Sequence, residues 1–184
     1  MNKSIVIFKW NPAISSYPML GLLETICQQD TEGNWSVWDH ERIHAGDECF
    51  LLKVGCGATG IVKAGVITSE PYADEDWSGQ GRQTYYVDFK ENMMVNPDAL
   101  PILDSTTLED NITDFDWHGG HSGVVLDELQ TTIFRCLWKA YLRDNAPLFQ
   151  ERRDLIKRRR MLNDQLYLAP KIWRQLATDT VKEK

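Results

Sequence analysis

Apolar residues recur in two rhythms along this chain, and the changes of rhythm mark out its elements. Residues 4–10, Ser-Ile-Val-Ile-Phe-Lys-Trp, form a run of β-branched and aromatic side chains that fits a buried strand. Asn11-Pro12 breaks it, because a residue before proline is pushed away from helical angles. Ile14, Met19, Leu20, Leu22, Leu23 and Ile26 then predict a helix from Pro18 onward, with Pro18 suited to the first turn. A turn cluster at residues 30–34 leads into the β-prone Trp35-Ser36-Val37-Trp38.

Strand signals fill the middle of the chain. Glu48 to Val54 and Gly60 to Thr68 read as two strands joined by a glycine-punctuated loop, and Gly65 inside the second predicts a bulge or sharp bend. Thr84 to Phe89 is a third strand, which Asn92 to Val95 continues or pairs with. Residues 97–123 read as loop. Asp127 to Leu142 predicts a helix whose core face is Leu129, Ile133, Leu137 and Tyr141, with Cys136 beside them. Asp144-Asn145-Ala146-Pro147 predicts its end, and a second helical stretch runs from Leu148 to about Ala177. Short strands with few helices point to an α+β chain built on a small β-barrel. The expected division is a barrel domain over residues 1–142 and a basic helical extension over 143–184.

Charge changes this picture. Residues 1–138 carry 8 Lys/Arg against 21 Asp/Glu, whereas residues 139–184 carry 12 against 6. An acidic body cannot hold duplex DNA tightly by neutralising phosphates alone. Any nucleic-acid role then needs a pocket in the body together with the basic tail. Arg152, Arg153, Lys157, Arg158, Arg159 and Arg160 are the phosphate-contacting candidates, or else a charged face that docks on the acidic body of this chain or a second copy. The first apolar run spans four residues, too short for a secretory signal, and no stretch approaches the roughly 20 apolar residues that span a bilayer. A cytoplasmic location and no membrane partner are expected. Cys27, Cys49, Cys56 and Cys136 have neither disulfide-framework nor zinc spacing and read as reduced thiols.

The candidate chemistry lies in the tryptophans. Of seven, Trp10, Trp35, Trp38, Trp77 and Trp117 fall at strand ends or in loops. Such rings either cap a barrel core or sandwich a flat base, at roughly 1–3 kcal/mol per stacked base. His118-Gly-Gly-His121 with Asp114 or Asp116 is a weak metal-chelating pattern, more simply a polar rim loop, so no metal is expected. Gly55-Cys-Gly-Ala-Thr-Gly60 matches a dinucleotide fingerprint but leads into strand, not helix, and the match is dismissed. No cofactor and no catalytic set is expected.

Residues 46–77, GDECFLLKVGCGATGIVKAGVITSEPYADEDW, resemble the central signature of EVE-type domains in the PUA-like superfamily. Trp-Asn-Pro-Ala-Ile at 10–14, Trp-Ser-Val at 35–37 and Trp117 with Ser122-Gly123-Val124 resemble most the EVE-like domain that precedes the HNH domain in modification-dependent restriction enzymes. The resemblance covers about residues 4–142. It implies a PUA/EVE-like small β-barrel, with flanking helices and the helical extension, that reads a modified base without catalysis. In that family context the base is mainly modified cytosine in DNA, flipped into an aromatic pocket. By position it implies Trp10, Asn11, Trp35, Ser36, Ser69, Glu70, Trp77 and Trp117 as pocket residues. Glu70 would accept from a cytosine amino group, or its Ser-Glu-Pro-Tyr turn is structural. Gly60 would allow a ligand close to the backbone, or simply turn the chain. Residues 143–184 contain no histidine, so this stretch cannot supply an HNH metal site, and cleavage would need a nuclease partner. A function of another class stays open: a regulatory subunit whose acidic barrel and basic tail bind a protein.

Overall fold

The computed structural model describes residues 3–26, 31–159 and 166–168, the stretch after Leu148 by its backbone. The first strand, β1 (Ile5–Trp10), is followed by helix α1 (Met19–Ile26) and strand β2 (Glu32–Val37). Strands β3 (Glu48–Lys53), β4 (Gly60–Ile67), β5 (Tyr72–Glu75) and the long β6 (Gln83–Val95) come next. Then follow β7 (Leu103–Asp104), α2 (Ser105–Asn111), β8 (Val124–Val125), α3 (Glu128–Arg159) and β9 (Leu166–Leu168).

One mixed sheet curls into a half-barrel in the order β2-β6-β4-β3-β1-β8, with β5 and β9 on β6 and β7 on β4. Among the described strands every pairing is antiparallel except β1 with β3, and that parallel pair is bridged by α1 and β2. The unbroken apolar run of β1 has a simple cause: Val6, Phe8 and Trp10 enter one core, inside the curl, and Ile5 and Ile7 enter another, under the helices. Strand β3 splits in the same way, Cys49 and Leu51 inward and Phe50 and Leu52 toward Phe134 and Trp138. A strand covered on both faces shows no polar alternation.

The bulge expected at Gly65 is present, as a register shift between Ala64 and Gly65 opposite β6. A Cβ at Gly65 would lie 2.5 Å from the Lys90 carbonyl oxygen, so the ladder closes there only on glycine. Gly60 serves packing: its added Cβ would meet the Leu103 carbonyl oxygen at 2.4 Å, where β4 pairs with β7.

Several sequence expectations are corrected. Glu32 to Asn34 are not a turn; they pair with Asp88 to Lys90 as the start of β2, while Asp30 lies outside the described residues. Residues 97–123 contain α2, whose N-terminus is capped by Asp104 accepting from the Thr107 N–H and which buries Leu108 and Ser105. Helix α3 does not end at residues 144–147. It runs through Pro147, because Ala146 and Leu148 still pack on the core and their burial offsets the lost backbone bond. Its buried stripe is centred on Phe134 and Tyr141, with Ile133, Leu137 and Trp138 beside them, whereas Leu129 and Cys136 face solvent. Cys49, Cys56 and Cys136 are free thiols, and Cys27 lies outside the described residues. Among the described residues, no helix is long and apolar enough to cross a membrane.

Candidate functional site

The curl does not close. Strand β2 is one margin of the sheet. At the other, the short β8 pairs only with Val6 and Ile7 of β1, and the rest of β1 faces β2 across a seam that a loop, not a strand ladder, draws together. Ser122 is the clasp: its Oγ accepts from the Lys9 backbone N–H at 2.9 Å and from the Trp35 indole N–H at 2.8 Å. The next residue completes it. Gly123 donates to the Ile7 carbonyl while its own carbonyl accepts from Trp38 and Asp39. It adopts φ +71°, and a Cβ there would sit 2.3 Å from Val37 Cα. Only glycine fits this approach.

Within the seam lies a cavity of about 780 Å³, inside the range of small-molecule sites. Its walls are aromatic. Trp10 is buried, its indole N–H bonded to the Tyr17 carbonyl at 2.6 Å, and its ring lies 5.5 Å from Tyr17. Trp35 is half-buried, stacked 6.2 Å from Phe8 and edge-on to Tyr17. Trp77 stands at the mouth, 63% exposed, on the turn between β5 and β6. Polar groups reach the cavity at chosen points: Asn11, Ser36, Lys9, and the buried pair Lys63–Glu91. Burial lowers the Lys9 pKa, against the opposing pull of Asp116, and its ammonium donates to the Gly119 carbonyl. Asp116 is held below the usual carboxylate range, chiefly by the His118 backbone N–H.

Five of the eight residues implied as a pocket thus converge: Trp10, Asn11, Trp35, Ser36 and Trp77. Three stand elsewhere. Trp117 is fully buried under the helices, stacked on Phe134 and donating to the Ile112 carbonyl, because the loop between α2 and β8 folds its indole inward. Ser69 accepts from the Asp88 N–H, and Glu70 accepts from the Ala45 N–H and faces His44 at 3.1 Å. Those Ala45 and His44 hydrogen bonds lower the pKa of Glu70, and its turn serves structure. Trp38 is exposed and stacks on His121, whereas His118 pairs with Glu109. No group of three or more metal-binding side chains is assembled among the described residues. The backbone of α3 carries Arg152, Arg153, Lys157, Arg158 and Arg159, and Arg160 lies outside the described residues.

Sequence reasoning missed Tyr17, Lys63, Glu91 and the clasp role of Ser122. Tyr17 lies between the Asn11-Pro12 break and the helix expected from Pro18, in a stretch to which no element was assigned. Lys63 is a lone charge inside an otherwise apolar strand, and that misfit was the available signal, whereas Glu91, between Lys90 and Asn92, gave none.

No protein-family model matches the chain, and no curated protein matches it in sequence. Solved structures match it in fold. A hypothetical protein from Leishmania major aligns with a TM-score of 0.52 at 11% identity, covering 76% of this chain and 98% of that one. Human THYN1, solved in complex with DNA containing 5-methylcytosine, aligns at 0.50 and 15% identity, covering 73% and 97%. The fold is that of a PUA/EVE-like barrel. A protein from Pseudomonas putida aligns equally well, at 0.50 and 17% identity over 72% of this chain and 98% of that one. This PUA/EVE-like barrel carries its cavity in the seam of the sheet, between Trp10 of β1 and Trp35 of β2.

Proposed function

We propose that this chain is a non-catalytic reader of a modified nucleobase, most simply a modified cytosine in DNA, extruded into the seam cavity. One observation carries the reading: tryptophans from three separate segments, at positions 10, 35 and 77, meet around a single cavity with polar groups at a few points of its wall. That arrangement suits a flat aromatic ligand, which gains from ring contact on its faces and from hydrogen bonds on its edge. The structure of human THYN1, a protein of the same fold, was solved with 5-methylcytosine DNA, which supports a ligand of this class. Asn11, with both donor and acceptor atoms, would contact the base or its sugar at the mouth. The basic residues 152–160 would track phosphates beside it. A role beside a nuclease, as in modification-dependent restriction, would need that activity from a partner.

The test is a tryptophan-fluorescence titration with short DNA duplexes, each carrying one modified cytosine or adenine, beside unmodified controls. Saturable quenching by one modified duplex, weakened roughly 5- to 100-fold in Trp77→Ala, is the expected result. Trp77 is exposed, so the variant keeps its fold. Equal, unsaturable responses to all duplexes at low salt would sink the reading and turn the search to protein partners.

A further inference from the structure

The wall of the cavity contains a feature that folding alone does not call for. Lys63 Nζ and Glu91 Oε1 lie 2.7 Å apart, with side chains only 6% and 3% exposed, inside a barrel lined by Phe8, Leu51, Phe89 and Met94. Taking two charges out of water costs several kcal/mol per ion, and an apolar pair of similar volume is often as stable or more so. The strand ladders are also irregular beside them. Two irregularities flank Lys63 on β4: one between Leu51 and Leu52 on β3, one between Ala64 and Gly65 opposite β6. Glu91 shares the inward face with Phe89 by strand alternation, and the second irregularity, which skips Asn92, turns Met94 instead of Met93 inward, directly opposite Lys63. Bulges of this kind re-aim side chains beside functional sites.

The pair is also held in a fixed pose. The Thr31 hydroxyl donates to Glu91 Oε2, and the Lys63 ammonium stands 4.7 Å over the Tyr17 ring. Both charged groups line the cavity, along with Tyr17, Trp35 and Phe89. The carboxylate offers only acceptors and the ammonium only donors. Side by side they match a base edge on which an exocyclic amino group neighbours a ring nitrogen or carbonyl acceptor.

Resting on the reader function above, we infer that Lys63 and Glu91 are the edge-reading residues of the cavity and select an amino-bearing base over its oxo counterpart. Glu91 accepts from the amino N–H, and Lys63 donates to the adjacent acceptor. A base of the same shape with a carbonyl in place of the amino group turns that oxygen toward the carboxylate and is rejected.

The experiment uses matched pairs: 5-methylcytosine against thymine, and 5-hydroxymethylcytosine against 5-hydroxymethyluracil. Members of each pair share the C5 substituent and differ only at C4 and N3. Each is placed opposite an abasic site, so that base pairing does not bias extrusion. Full-length protein is titrated as wild type, Glu91→Gln, and the double variant Lys63→Met/Glu91→Leu, with Glu70→Gln as an acidic control outside the cavity. Wild type is expected to prefer the amino member roughly 10- to 100-fold, as a well-formed bidentate contact gives. Glu91→Gln, whose amide presents either donor or acceptor, should lose most of that preference, and Glu70→Gln should keep it. The double variant should melt at or above the wild-type temperature with preference near unity. A folded Glu91→Gln or double variant that keeps wild-type preference overturns the inference and leaves a structural ion pair, with the reader function intact. So does a wild type that binds both members of a pair alike. Should the double variant fail to fold, Glu91→Gln decides. Wild type that binds none of the four bases overturns this inference, and the reader function falls with it when the other modified duplexes also fail to bind.

Discussion

Two tryptophans that look alike along the chain have opposite jobs. Trp77 presents its ring at the mouth of the cavity, whereas Trp117 fills the core beneath α2 and α3 and caps the Ile112 carbonyl. Trp117→Ala should therefore cost about 3–5 kcal/mol of stability, through the hole it leaves and the carbonyl it strands. Denaturant unfolding measures this loss. Ligand affinity per folded molecule should stay at the wild-type value, the reverse of the pattern expected for Trp77→Ala. The residue scale also shows why identity alone misplaces a site. Beside His-Gly-Gly-His, Trp117 had the sequence surroundings of a loop residue, and nothing local reveals that Phe115 and Phe134 wait to receive its ring. Glu70 is the same case. Its capture by Ala45 and His44 depends on a partner 25 positions away in sequence.

Among the elements, the clasp formed by Ser122 and Gly123 holds the seam together. Gly123→Ala combines a strained left-handed backbone with a collision at Val37, so a loss of more than about 1 kcal/mol is expected. Hydrogen exchange should locate the damage: the amides of Trp38 and Asp39, which bond to the Gly123 carbonyl, should lose protection before those of β3 and β4. Uniform loss of protection would show that the seam does not open independently of the sheet. Strands β1, β3 and β4 were legible in the sequence because burial on two faces writes long apolar runs, β6 was legible in part through its aromatic and β-branched residues, and Gly65 announced its bulge. Helix α2 was not. Its seven residues are too few to show a period, although Asp104 before Ser-Thr-Thr-Leu is a cap signal that could have found it. Pro147 misled in the other direction, because packing of Ala146 and Leu148 outweighs a local breaker.

Across the whole molecule, the acidic excess of residues 1–138 opposes any polyanion that approaches the cavity. If the reader function holds, the compensating charge comes from residues 152–160. Replacing Arg152, Arg153, Lys157, Arg158, Arg159 and Arg160 with alanine should weaken binding to modified and unmodified DNA by the same factor. It should also flatten the dependence of log affinity on log salt by about 0.9 for each phosphate no longer neutralised. An unchanged slope with a lowered melting temperature would assign these residues to the acidic body instead. The seam has a consequence at this scale too. In a barrel ringed by continuous hydrogen bonds, strand number and stagger fix the bore. Here one stretch of circumference is spanned by the loop that ends at Ser122 and Gly123. Adding or removing a residue or two in that loop would change the calibre without re-registering a strand. Accommodating a bulkier base adduct would then take a short insertion, with the rest of the architecture kept.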